Sequence, residues 1–258
     1  MEHDKDMPAG VQSVARIFAL IEVLSAHPKG APLQTVSAES GLPKSTAHRL
    51  LSSLVSLGYA VQDSVTTHYR LTLKMFELSS GIVNDLEILS VARYHLDRLS
   101  RDADEAVHLV VQDGADIVYI YKADAGTGGM RMSSHVGLRI PMYCTGVGKA
   151  ILATQSYTDA ERVWKKSNVR ALTPHTITSF DAFVESLRRV RADGYAVDDE
   201  ENELGIRCVA LAVPGMRGRA EAAFSISGLA ARMTDERIEE LARLGIRTRQ
   251  DILRDLGW

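Results

Sequence analysis

The sequence predicts an α+β chain in two parts: a small helical domain that closes with a winged helix–turn–helix, then a larger sheet domain with helices packed against it. Three observations carry this expectation. The stretch Leu33 to Tyr59, LQTVSAESGLPKSTAHRLLSSLVSLGY, has the spacing of two helices around a tight turn at Gly41. Two short β-patterned segments follow at once, as a wing would. From Glu105 the pattern changes to alternating strands, grouped at both ends of that region with helical stretches between, which is an α+β arrangement.

Residues 1–10, MEHDKDMPAG, are polar and read as a disordered start. A helix then runs from Val11, with Val14, Ile17, Phe18, Ile21 and Leu24 as an apolar stripe, and stops before Pro28. Lys29-Gly30-Ala31-Pro32 is a turn. The first helix of the pair spans 33–39. The second is predicted from Pro43 to Leu57, because Ala47, Leu50, Leu51, Leu54 and Leu57 repeat on one face of a 3.6-residue period. Pro43 suits a first helical turn and Gly58 suits a left-handed terminator. The opposite face carries Ser45, His48, Arg49 and Ser52, polar and without an acid. Such a face can lie in a major groove. An ordinary amphipathic helix of an αα-hairpin has the same pattern. The wing favours the first: 59–62 and 68–71 read as a hairpin around the loop 63–67, placing His68 and Arg70 where phosphate or a minor groove could be met. The winged helix–turn–helix is thus 11–71.

Residues 72–103 read as linker helices, 72–81 and 85–102, with no Pro and little Gly, unlike a flexible tether. Leu73, Phe76, Leu86, Leu89, Ala92, Leu96 and Leu99 give them apolar positions to bury, against a partner chain or against their own. In 104–258, AVHLVVQ and DIVYIYKA form an antiparallel pair about Gly114, followed by strands at GMRMSSHV and RIPMY. Helices are expected at 146–154, near 159–166 and at 179–193. Strands at 207–214 and 220–227 follow, then a terminal helix over 234–256 with Asp235 and Glu236 in its first turn.

Bulk composition bounds the function. The 258 residues are 45% hydrophobic and 24% charged, the profile of a soluble globular protein with a substantial core. Two cysteines, Cys144 and Cys208, make neither a disulfide framework nor a metal site. No apolar run reaches transmembrane length and the start lacks a signal-peptide pattern, so a cytoplasmic protein without a membrane partner is expected. Net charge is −3, and residues 1–70 hold three Lys and three Arg against three Asp and three Glu. A grip on DNA must therefore come from the local placement of Lys44, Arg49 and Arg70, and from more than one copy of the chain.

A second site is predicted where Tyr143-Cys144-Thr145-Gly146-Val147-Gly148-Lys149-Ala150 runs from strand into helix. Glycines admit a ligand to the backbone, and the free N–H groups of a helix start favour an anion. The spacing is not that of a phosphate-binding loop, since Tyr143 stands where its first Gly should be and Ala150 follows Lys149. A carboxylate is the more natural guest; close strand–helix packing is the other use of such glycines. The acidic run 198–203 reads as a solvated loop, and without EF-hand alternation it is not a metal site. Cys208 reads as a buried thiol unless its strand lines a pocket. Ser225 and Ser227 alternate and so share one face. A hydrolase would need Cys144 or Cys208 paired with His108, His135 or His175. No G-x-S-x-G or similar signature supports such a pairing, so no enzyme is expected.

Three ordered blocks, LPKSTAHRLLSSLVSLGY, MYCTGVGKAILA and GYAVDDEENELGIRCVALAVP, make the chain resemble the isocitrate lyase regulator (IclR) family of bacterial transcription factors over nearly its whole length. The run MRMSSHVGLRIPMYCTGVGK is most similar to the branch of the ketodeoxygluconate regulator. The resemblance implies a winged helix–turn–helix, a linker helix and a GAF/PAS-like α/β effector-binding domain. It implies double-stranded DNA with a palindromic operator as partner, contacted by Lys44, Ser45, Thr46, His48 and Arg49 with His68 and Arg70 of the wing. It also implies a homodimer or dimer of dimers, no cofactor, and a small organic acid as effector (a sugar, keto or aromatic acid). The effector site would comprise Met132, Ile140, Tyr143, Gly146, Val147, Asp198, Ile206, Cys208, Ser225 and Ser227. One departure is GMRGRAEA after Pro214, a basic turn where the family usually has a more apolar hairpin; the register of Ser225 and Ser227 depends on where the strand resumes. A ligand-sensing module acting through protein contacts is the alternative function.

Overall fold

The computed structural model describes residues 9–84, 87–124, 134–215 and 218–257. The chain divides into two compact units, Met1–Asp85 and Leu86–Trp258, so the division falls inside the stretch read as a linker.

The first unit holds α1 (Ala9–Ala26), α2 (Leu33–Ser40), α3 (Lys44–Ser56), a hairpin of β1 (Ala60–Gln62) and β2 (Tyr69–Leu71), and α4 (Lys74–Asn84). Leu20, Leu24, Val36, Ala47, Leu50, Leu51, Leu54 and Tyr69 close on one another as its core. Gly41 ends α2 at φ 67° and Gly58 follows α3 at φ 80°, backbone that a side chain would strain. Pro43 caps α3 instead of opening it: its ψ of 142° is extended, and the helix begins at Lys44. Leu57 departs from the expected face because α3 ends at Ser56, and it is exposed. Val14 and Phe18 are exposed as well. The buried line of α1 runs through Leu20 and Leu24, and at 100° per residue Val14 and Phe18 lie well round the helix from it. The start of α4 is tied down: Thr72 Oγ1 donates to Gly58 O (2.6 Å), and Lys74 Nζ donates to Leu57 O (2.8 Å) above the Tyr59 ring. Beyond that anchor Leu73 (80% exposed), Phe76 (67%) and Leu78 (62%) face away from their own unit, contrary to burial within it.

The second unit begins with α5 (Glu87–Ala103), where Ala92, Leu96 and Leu99 are buried as expected; Leu86 lies outside the described residues. Then come β3 (Ala106–Asp113), β4 (Asp116–Ala123), β5 (Arg139–Pro141), a 3-10 turn (Met142–Cys144), α6 (Gly146–Ala153), α7 (Tyr157–Lys166), α8 (Phe180–Asp193), β6 (Ala196–Asp199), β7 (Ile206–Pro214), β8 (Ala220–Leu229) and α9 (Asp235–Asp255). The six strands form an antiparallel sheet in the order β5-β4-β3-β8-β7-β6. Two expectations need correction. RIPMY is strand only to Pro141, because the chain coils at Met142–Cys144 to enter α6. Of GMRMSSHV, residues 129–133 lie outside the described residues, and Ser134 to Val136 are not strand.

Alternation along the strands splits the sheet into two faces. Val107, Leu109, Val209, Leu211, Phe224 and Ile226 meet α5 and α9 on one. Val110, Ile117, Ala210, Ala212 and Ala223 meet α6 and α8 on the other. The small side chains of β7 and β8 let α6 come close to the sheet, and Gly148 lets the 3-10 turn fold onto α6. A Cβ there would stand 2.2 Å from Met142 O and 2.5 Å from its Cα, both backbone. Gly148→Ala is therefore expected to destabilise by about 1–3 kcal/mol, an overpacking cost, read as a lowered urea midpoint. No helix among the described residues is long and apolar enough to cross a membrane.

Candidate functional site

Where α6 begins against the sheet, a cavity of about 50 Å³ opens. Ile140, Gly146, Val147, Asp198, Ile206, Cys208, Ser225 and Ser227 all line it, gathered from β5, α6, β6, β7 and β8. The basic turn does not disturb the register: β8 resumes at Ala220, the irregularity is absorbed at Val213/Pro214, and Cys208 stands opposite Ser227. Tyr143 is a correction. The 3-10 turn carries its side chain away from the cavity, its hydroxyl donates to Arg170 O (2.9 Å), and its ring packs on Trp164. Met132 lies outside the described residues.

Thr145 of the predicted strand-to-helix stretch lines it as well, and the cavity also takes in residues that sequence reasoning had not placed there: His108, Tyr119, Ser134, Leu138, Asn202 and Glu203. His108 stands opposite Ser225 across β3 and β8, so it shares the face of the two serines. It hydrogen-bonds Ser134 Oγ (2.8 Å) and Ser227 Oγ (3.4 Å), and it meets the Tyr119 ring edge-on. Burial, with the nearby Lys122 ammonium, pushes its pKa down to about 3, so the imidazole is neutral. Burial pushes the Tyr119 phenol up, which keeps it a donor. The two serine hydroxyls lie 3.3 Å apart. At the helix start Thr145 caps α6, its Oγ1 accepting from Gly148 N (3.1 Å). Gly146 and Val147 are the first two helical residues, and the first N–H groups of a helix have no acceptor within it. The wall thus offers backbone N–H groups, hydroxyls, a phenol and a neutral imidazole.

The acidic run is not the solvated loop it resembles. Asp198 is 6% exposed and Glu201 5%, and the turn between them is built: Asp198 Oδ1 accepts from Glu201 N (2.8 Å). Thr173 Oγ1 donates to Glu200 O (2.7 Å) and Thr176 Oγ1 to Glu201 O (2.6 Å). The buried Lys149 ammonium pairs with Glu201 and donates to Val197 O (2.7 Å). Burial raises Asp198 to about 6, opposed by Lys149 and reinforced by Glu201. Burial also pushes the Cys144 thiol up to about 12 and the Cys208 thiol well above its ordinary value, so neither is a ready nucleophile.

In the first unit α3 exposes Lys44, Ser45, His48 and Arg49, with Thr46 half-buried, while Ala47, Leu50, Leu51 and Leu54 are buried. The wing is braced at its loop. Asp63 Oδ1 accepts from Val65 N (3.0 Å), Thr66 N (2.7 Å) and Thr66 Oγ1 (3.0 Å), and the Thr66 bonds hold its carboxyl below the usual range. Arg70 is exposed on β2 and His68, just before it, is half-buried.

Residues 13–64 match the IclR helix-turn-helix domain, and residues 80–254 match the domain described as bacterial transcriptional regulator IclR C-terminal. The chain belongs to the IclR family of DNA-binding transcriptional regulators. It is 35% identical over 260 residues to the DNA-binding transcriptional repressor YiaJ of Escherichia coli K12, covering 100% of this chain and 92% of that protein. The HTH-type transcriptional regulator KdgR of the same organism is 34% identical, over 90% of this chain and 88% of its own. The crystal structure of the Thermotoga maritima IclR superposes with a TM-score of 0.81 at 29% identity, covering 96% of this chain and 100% of that one. An IclR regulator thus combines its helix–turn–helix with a C-terminal effector domain, and the cavity described above lies in the latter.

Proposed function

We propose that this IclR-family regulator binds a palindromic operator through α3 and its wing, and that a small carboxylate in the cavity modulates that binding. The functional parts are the reading head 11–71, the linker helices 72–103 and the effector domain 104–258. Lys44, Ser45 and Arg49 contact the duplex with Thr46 and His48 in support, and His68 and Arg70 reach phosphate from the wing. The observation that carries the effector reading is convergence: N–H groups of a helix start, two serine hydroxyls and a buried thiol meet in one cavity. A helix start favours an anion, and the hydroxyls supply the remaining donors. Homodimers, singly or paired, account for the exposed Val14, Phe18, Leu73, Phe76 and Leu78, which a second chain would cover. The effector acts only through unequal affinity for two arrangements of the reading heads.

A thermal-shift screen of small keto, sugar and aromatic acids tests the cavity. An acid at a hundredfold its Kd is expected to stabilise by about 2.7 kcal/mol, and the same acid should shift a gel retardation of the chain's own upstream DNA. An acid that stabilises the protein without altering DNA binding would count against regulation through this cavity.

A further inference from the structure

We propose that the cavity selects singly charged acids, and that it binds them together with one proton taken up at Asp198. This rests on the carboxylate reading above and adds to it the charge class of the ligand. The geometry points there because the anion's seat is already occupied by a negative charge. Asp198 lines the cavity beside the start of α6: a Cβ on Gly146 would lie 3.3 Å from Asp198 N and 3.4 Å from its Cβ. A ligand carboxylate at that helix start is therefore a near neighbour of the Asp198 carboxyl.

The surroundings offer little to offset a second negative charge. The Lys149 ammonium on α6 is committed to Glu201 and to Val197 O. Lys122 on β4 donates to Ser134 O (3.1 Å) and pairs with Asp124 (3.5 Å). His108 on β3 is neutral, and Tyr119 on β4, Cys144 on the 3-10 turn and Cys208 on β7 are uncharged donors. Glu203 brings a further carboxylate to the lining. Among the described residues the groups around Asp198 thus hold no uncommitted cation.

Magnitudes decide which species binds. Two unit charges about 5 Å apart at an effective dielectric constant near 20 repel by roughly two pK units, a hundredfold in affinity. With its pKa raised to about 6, Asp198 can be protonated at pH 7 for about a tenfold cost. Protonation is the smaller loss. The protonated carboxyl then becomes a donor to the ligand, while its other oxygen keeps the bond from Glu201 N. A second charge on the ligand finds no such remedy.

The test is calorimetry of the full-length protein with three pairs of acids: pyruvate and oxaloacetate, gluconate and glucarate, benzoate and phthalate. Titrations in phosphate and in Tris at pH 7.0 report proton uptake. The expected result is uptake close to one proton for whichever monoacid binds. Its affinity should fall about five- to eightfold per pH unit between pH 6.5 and 8, and its dianionic counterpart should bind at least tenfold more weakly. Asp198→Asn, which retains an Oδ1 to accept from Glu201 N, should abolish the uptake and flatten the pH profile. A monoacid that binds with no proton uptake overturns the proposal. That result would mean Asp198 stays ionised and accepts from a ligand hydroxyl. A dianion that binds as tightly as its monoacid also overturns it. If none of the six binds between pH 5.5 and 8, the carboxylate reading itself falls for these acids, and this inference with it.

Discussion

Replacing Arg49 with alanine is expected to abolish specific operator binding at physiological salt and to leave carboxylate affinity within about twofold. The guanidinium is exposed on the polar face of α3, and its backbone carbonyl accepts from Ser53 Oγ (3.2 Å), a bond the substitution keeps. A bidentate base contact is worth about 1–3 kcal/mol, so the two copies of the proposed homodimer would together lose about 2–6 kcal/mol, roughly 30-fold to 10⁴-fold. Little non-specific affinity remains to mask this, because Lys and Arg in residues 1–70 only balance Asp and Glu. Fluorescence anisotropy on the upstream duplex, with calorimetry for the acid on the same preparation, measures both quantities. Loss of both together would count against two separate surfaces. Arg70→Ala should behave differently, lowering affinity on all sequences and reducing the salt slope by about one per copy.

The split of α3 into a buried and an exposed face was legible because its information is local. Ala47, Leu50, Leu51 and Leu54 repeat with the helical period, and the packing that buries them lies within the same short segment. Leu57 was misplaced because the end of a helix depends on its terminal geometry, which periodicity does not encode. In the second unit the alternation of Ser225 and Ser227 was equally local. Their partner was not: His108 faces Ser225 from 117 residues upstream, and only strand register reveals it. Tyr119 lies beyond a bulge at Leu109/Val110, which breaks any simple count of alternate faces. The acidic run misled for a similar reason. A string of carboxylates reads as solvated unless a cation is buried with it, and that cation is Lys149, 52 residues away in sequence from Glu201.

That distant pair sets the second large effect. Lys149→Met is expected to destabilise the second unit by about 3–5 kcal/mol, because it leaves a buried carboxylate without its countercharge. For a unit of this size the melting temperature should fall by roughly 6–20 °C. The loss should depend on pH with a definite sign. Asp198, already raised to about 6 with Lys149 opposing the rise, goes higher when the ammonium is removed, and Glu201 loses its partner as well. A carboxyl whose folded pKa lies above its unfolded value favours folding most at low pH and weakens it as pH rises through the folded value. The variant should therefore come closest to the wild type near pH 5 and differ most at pH 8. Adding Glu201→Leu should restore much of the stability at pH 8, since the pair is imperfectly satisfied as it stands: Glu201 Oε2 is buried with no hydrogen-bond partner among the described residues. Urea melts of the three proteins at the two pH values carry the comparison. A single variant as stable as the wild type at pH 8, or a double variant no more stable than the single, would show that the buried ion pair does not hold the Asp198–Glu201 turn in place.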